Sequence, residues 1–124
     1  MKKPRSVSVN RPLTGEEYEL TRWILEHGKP EAAAYLDQLE RARVVGRCPC
    51  GCATIDFEID GLGKAPPGVN VLGDFLFGDE SALCGVFVFS SNGILSGLEV
   101  TGYAVDAPKT LPDPSELRPC NDTQ

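Results

Sequence analysis

The feature that most constrains the fold is a change of hydrophobic period near Val44. Before this point apolar residues recur every three to four positions, as they do on the buried face of a helix. Beyond it, apolar and polar residues alternate strictly over residues 53–60, as they do in a strand with one buried face. Helices followed by strands predict an α+β domain, with the helices on one face of a mostly antiparallel sheet.

The helical half carries clear start and stop signals. Thr14 and Glu17 have the spacing of a capping box, so we expect the first helix to begin there, and Gly28 is a natural stop. Pro30 suits the first turn of a second helix. Because the link between the two helices is so short, the sequence predicts an N-terminal αα-hairpin.

The second half predicts a sheet of four to five strands. Asn92-Gly93 is the strongest hairpin signal in the chain, and Gly97 predicts a bulge in the strand that follows it. A second hairpin is expected to turn at residues 49–51. The predicted strands are residues 44–48, 53–60, 71–77, 83–90 and 94–103.

At 124 residues the chain fits one domain, which we place at residues 13–118. Residues 1–12 are polar and basic with two prolines, and we expect a disordered arm; residues 119–124 are expected to be a flexible tail. No apolar run approaches the ~18 residues that span a bilayer, and no apolar stretch follows the basic start as in a secretory signal. The expected location is therefore the cytoplasm.

The charge is unevenly distributed. The net charge is −6, but the first 11 residues hold four of the 12 cations and no acid, so the remainder carries 8 basic and 18 acidic residues, a net of −10. Such a surface repels nucleic acid and anionic lipid and attracts basic proteins. The alternating strand places three carboxylates on one face, which is either a solvated surface or a docking site for a basic partner, helped by acids in nearby loops. The candidate partner-binding residues are Asp56, Glu58, Asp60, Asp74, Asp79 and Glu80.

Three of the five cysteines fall in the pentapeptide Cys48-Pro49-Cys50-Gly51-Cys52. An odd number of cysteines without a secretory signal is typical of reduced thiols. Thiolates suit zinc, copper(I) or iron–sulfur clusters, and a site with Cys84 as fourth ligand would make zinc the candidate cofactor. Zinc ribbons, however, use wider spacing and a second pair of ligands. The alternative is a tight turn whose cysteines face the core as small apolar residues.

The usual catalytic motifs are missing. His27 is the only histidine, no Gly-x-Ser-x-Gly elbow occurs, and Gly61-Leu62-Gly63-Lys64 is too short for a phosphate-binding P-loop. An enzyme acting on a small molecule would require a pocket with convergent polar groups. The sequence therefore favours a binding protein over an enzyme.

Four motifs connect the chain to other proteins: residues 13–17, the segment 44–52, the strand 93–100 and Leu111-Pro112-Asp113-Pro114. With them, residues 13–118 resemble a family of small uncharacterised bacterial proteins, some of which are similar to immunity proteins that neutralise secreted toxins. The resemblance implies a shared fold and supplies no catalytic residues. The leading interpretation is a cytoplasmic module that binds a basic protein, of the immunity type; the alternatives are a small metal-binding protein and an enzyme.

Overall fold

Strand pairing dominates the architecture. The computed structural model of the chain describes residues 6–119, and these form one seven-stranded sheet in which all pairs of neighbouring strands are antiparallel. The strands are β1 (Val7–Pro12), β2 (Ala42–Arg47), β3 (Ile55–Ile59), β4 (Asn70–Phe77), β5 (Cys84–Ser91), β6 (Ile94–Gly102) and β7 (Arg118–Pro119). The predicted combination of helices and a mostly antiparallel sheet is confirmed, but the predicted four to five strands are too few.

The strand order across the sheet is β1-β2-β3-β6-β5-β4-β7. The hairpin β5–β6 turns at Asn92 and Gly93, both of which have positive φ, as a type I′ turn requires. In β6 the pairing of Gly97 with Phe89 is followed by that of Leu95 with Ser90, so Ser96 is the extra residue of a bulge. Both the turn and the bulge were predicted from the sequence.

The expected disordered arm is wrong for residues 7–12, which form β1 along β2. Val9 packs against the core, and Val7 and Val9 alternate with polar residues. This alternation is a strand signal that the basic charge and the prolines obscured. Residues 1–5 of the predicted arm lie outside the described residues.

At the other end, the expected boundary at residue 118 needs a smaller correction. Arg118 and Pro119 form β7, which pairs with Leu76 and Phe75 of β4. Pro119 tolerates this position because an edge strand does not need every backbone N–H. The rest of the predicted flexible tail, residues 120–124, lies outside the described residues.

The first helix, α1, spans Gly15–His27 and begins with the predicted capping box of Thr14 and Glu17. The expected second helix is different: Pro30–Tyr35 is a 3-10 helix, followed by α2 (Leu36–Leu39), a single α-helical turn. It ends there because the N–H of Arg41 donates to the carbonyl of Gln38, and β2 starts immediately afterwards. The predicted pair of full helices is therefore not established.

The core lies between the helical segments and one face of the sheet, called here the inner face. From α1, Leu20, Ile24 and Leu25 are almost fully buried. The Trp23 ring contacts Phe75 of β4 edge-on, with centroids 5.0 Å apart. On the opposite, outer face, the described helices make no layer. The inner-face strand residues of the core include Val44, Ile55, Phe57, Phe75, Val86, Val88 and Leu98.

Candidate metal centre

The connection between β2 and β3 is a tight turn that carries three cysteines. The N–H of Gly51 donates to the carbonyl of Cys48 over 3.1 Å, which closes a four-residue turn with Pro49 in its second position. Gly51 has φ of 89°, a conformation that other residues adopt only under strain. The N–H of Cys48 donates to the carbonyl of Thr54, so the whole connection is closed at its base.

This turn gathers the thiols of Cys48, Cys50 and Cys52, called here the thiol cluster. The Sγ atoms of Cys48 and Cys50 lie 2.8 Å apart, and all three sulfurs lie within 4.8 Å of one another. The backbone N–H of Cys52 also donates to the Cys50 sulfur over 3.4 Å. The thiol cluster can hold a metal ion.

Exposure separates the three cysteines. Cys50 is exposed, while Cys48 and Cys52 are half-buried, and Cys52 contacts the edge of the hydrophobic core. The alternative in which all three side chains face the core as apolar residues is therefore wrong for Cys50. The turn, rather than strand alternation, determines where these sulfurs point.

The protonation of the thiols follows from their contacts. The hydrogen bond between the Cys48 and Cys50 sulfurs, with the N–H of Cys52, lowers the pKa of Cys50. The same hydrogen bond, together with burial, raises the pKa of Cys48 to about 11. Of the two thiols, Cys50 is therefore the one whose surroundings favour the thiolate.

Two cations lie beside the cluster. The Arg47 guanidinium contacts the carbonyl of Cys48, and the Lys109 ammonium lies 3.8 Å from where a Cβ on Gly51 would be. The backbone of the Lys109 segment is held close because the N–H of Ala53 donates to the carbonyl of Pro108. Lys109 was not predicted to lie here, because it is far along the chain in an irregular segment without a detectable signal.

The expected fourth ligand, Cys84, is not part of the group that the described residues form. It is buried at the start of β5, with β6 between it and β3, and its thiol contacts the carbonyl of Ala82. His27 ends α1, where its ring stacks on Trp23 and its Nδ1 bonds to the Trp23 carbonyl. Neither side chain joins the thiol cluster.

The six acidic residues predicted to bind a partner do not form one surface. Asp56, Glu58 and Asp74 share the outer face, as their pairing partners show. Asp60 lies in the turn after β3, while the Asp79 carboxylate accepts hydrogen bonds from the N–H groups of Ser81 and Ala82 and caps a 3-10 turn. Glu80 belongs to that same turn, between β4 and β5, at the far end of the sheet from Asp60.

Comparison of the chain with protein-family models, curated proteins and solved structures finds no match. No helix among residues 6–119 combines the length and the apolar character needed to cross a membrane.

Proposed function

We propose that this protein binds a single soft metal ion of filled d shell, zinc or copper(I), through Cys48, Cys50 and Cys52. The observation that carries the proposal is the approach of three sulfurs to within 4.8 Å of one another in one short turn. Thiolates are the ligands that these ions prefer. Three of them on five consecutive residues need little chain entropy to assemble, because the turn already restricts the backbone.

The three sulfurs lie close enough together to bind one ion after a small adjustment. With zinc–sulfur bonds of about 2.3 Å, tetrahedral ligands lie about 3.8 Å apart. The Cys48–Cys50 pair must therefore open by about 1 Å, which a change of side-chain rotamer supplies. The exposed position of Cys50 leaves the ion a path from solvent.

Three thiolates leave one position of a tetrahedral ion open. Structural zinc sites close that position with a fourth protein ligand, whereas catalytic sites fill it with water or substrate. Copper(I) also binds to thiolates and does not demand four ligands. The described part of the chain brings only three cysteines together, so a site with an open position is the form we propose.

Charge balance favours ion binding at this place. Three thiolates around Zn²⁺ carry a net charge of −1, and around Cu⁺ a net charge of −2. Arg47 and Lys109 lie next to the turn and offset this excess, although both are exposed and their contribution is screened by water.

Metal content tests the proposal directly. The full chain is purified under reducing conditions without an affinity tag, and zinc, copper and iron are measured by mass spectrometry. We expect about one ion per chain, lost in Cys50→Ser and retained in the matched control Cys84→Ser, whose thiol lies away from the cluster. The variant Cys120→Ser tests whether the remaining cysteine contributes to metal binding. Equal metal content in the Cys50 and Cys84 variants would contradict the proposal.

Two titrations distinguish the ions. Zinc is titrated into the reduced metal-free protein against a chromophoric zinc chelator, and copper(I) is titrated without oxygen against bicinchoninate. The ion of the proposal is the one for which Cys50→Ser loses affinity and Cys84→Ser does not. If neither ion binds with one-to-one stoichiometry, the thiol cluster is not a metal site.

A further inference from the structure

We propose that the outer face of the sheet docks an extended, arginine-bearing segment of a basic protein. This inference is independent of the metal centre, because it rests on other residues. It narrows the predicted acidic docking site to one groove and to one kind of side chain.

An aromatic floor lies on the outer face, and of its two rings Phe89 lines the groove while Phe87 adjoins it. Phe87 and Phe89 lie side by side on β5, half-buried, with ring centroids 5.7 Å apart. The Phe89 ring passes over Gly97 of β6: two of its atoms lie 3.2 Å from where a Cβ on Gly97 would be. The absence of a side chain at Gly97 thus allows the ring to lie across the neighbouring strand.

Carboxylates flank these rings because of the strand register. Asp74 of β4 and Glu99 of β6 are the two pairing partners of Phe87, one on each side. Asp56 of β3 pairs with Gly97, directly beneath the Phe89 ring. Phe87 therefore has a carboxylate on each neighbouring strand, whereas Phe89 has Asp56 two strands away across Gly97, with one Asp56 oxygen accepting a hydrogen bond from the Ser6 hydroxyl.

A loop forms the wall of the groove. Residues 64–69, with Pro66, Pro67 and the 61% exposed Val69, stand beside Phe89, Asp56 and Glu99 around a concavity of about 530 Å³. That volume lies within the range of protein ligand sites. Lys64 is the one cation among the residues that line it, against two carboxylates.

The chemistry of the groove fits a guanidinium group best. A guanidinium stacks on an aromatic face and forms two parallel hydrogen bonds to a carboxylate, whereas the ammonium of lysine is a strongly hydrated point charge. The body of the chain, at −10, steers basic proteins towards itself. A second copy of this chain would bring the same carboxylates together, so self-association through this face is disfavoured.

The test uses three synthetic peptides of identical length, in which alternate residues are arginine, lysine or neutral citrulline. Binding to the full chain is followed by fluorescence anisotropy and by amide chemical shifts. We expect the arginine peptide to bind about tenfold more tightly than the lysine peptide. The shifts should be confined to β3, β5, β6 and the 64–69 loop.

Variants then assign the binding to the groove. Phe89→Leu keeps the apolar volume but removes the ring, and Asp56→Asn removes one charge from the groove. Each variant should weaken binding of the arginine peptide severalfold, while thermal unfolding confirms the fold. Glu31→Gln, on an exposed residue of the 3-10 helix, is the control and should bind normally. The proposal fails if no peptide binds, or if the arginine and lysine peptides bind equally well. It also fails if Phe89→Leu binds the arginine peptide as wild type does, if the chemical shifts change outside the groove, or if the chain dimerises through this face.

Discussion

Arg11 and Glu17 join the first strand to the first helix through two parallel hydrogen bonds of 2.8 and 2.9 Å. The same Glu17 carboxylate accepts the N–H of Thr14, while the Thr14 hydroxyl accepts the N–H of Glu17. One side chain therefore completes the capping box and anchors β1. This explains why residues 7–12 of the predicted disordered arm are part of the sheet.

Substitutions at Glu17 should separate these two roles. Glu17→Gln keeps the capping contact but loses the ion pair, and we expect a loss of about 1 kcal/mol in the free energy of unfolding, since Arg11 is 39% exposed. Glu17→Ala loses both and should cost about 2 kcal/mol. Urea unfolding of both variants measures the difference. Equal losses in the two variants would show that the capping contact of Glu17 contributes nothing to stability.

The contribution of Glu17 to the free energy of unfolding should also depend on pH. Burial alone would raise the pKa of Glu17, but the hydrogen bonds from Arg11 and Thr14 outweigh it, and the folded-state pKa is lowered. Because the carboxylate form is favoured in the folded state, Glu17 stabilises the fold at pH values above its unfolded-state pKa of about 4.3. This stabilisation is lost as the pH falls through the folded-state pKa. The difference between wild type and Glu17→Gln should therefore shrink from pH 7 to pH 3. A constant difference would contradict this linkage.

Much of the fold could be predicted because local signals coincided with tertiary pairing. The capping box at Thr14, the Asn92-Gly93 turn and the alternation of residues 53–60 are decided within a few residues, and each was found in the structure. β1 was missed because its basic charge and its prolines obscured the alternation, and β7 was missed because a two-residue edge strand depends on a partner distant in the chain. The second helix was overestimated because Pro30 permits a 3-10 helix as readily as an α-helix.

The candidate site was predicted only where its ligands are neighbours in sequence. The thiols of Cys48, Cys50 and Cys52 come together because one turn holds them, so their spacing in the sequence was enough to predict the cluster. Cys84, the expected fourth ligand, is distant in the chain, and in the sheet β6 lies between its strand and β3. The aromatic floor of Phe87 and Phe89 was missed because an apolar run on a central strand does not reveal which face a helix covers.

Replacing Thr21 by valine should increase the stability of the fold. Its side chain is fully buried in α1, and its hydroxyl has no hydrogen-bond partner among the described residues. Thr21→Val keeps the shape and removes the unsatisfied hydroxyl, so we expect stability to rise by about 1 kcal/mol. Thr21→Ser, which keeps the hydroxyl and loses a methyl group, should cost about 1 kcal/mol. Chemical denaturation compares the two, and a destabilised valine variant would indicate that the hydroxyl has a partner.

Gly28 should not tolerate a side chain, because α1 ends directly against β4. A Cβ at Gly28 would lie 2.3 Å from the carbonyl oxygen of Leu72, which also accepts the N–H of Lys29. Gly28→Ala must push helix and strand apart, and we expect a loss of about 2 kcal/mol. The control is Gly15→Ala, where a Cβ meets nothing within 4 Å and helix propensity should improve. Equal thermal stability of the two variants would rule out this close packing.

Metal binding at the thiol cluster should appear as thermal stabilisation. An ion that binds the folded chain at 100 times its dissociation constant adds about 2.7 kcal/mol, because the unfolded chain holds its three thiols less well. For a domain of this size we expect the melting temperature to rise by about 10 °C with zinc or copper(I), and a chelator to reverse the rise. Cys50→Ser should show no rise, since it removes one of only three sulfurs, while Cys84→Ser should respond as wild type does. A rise of equal size in both variants would mean that the ion binds elsewhere, and the proposed function would fail with it.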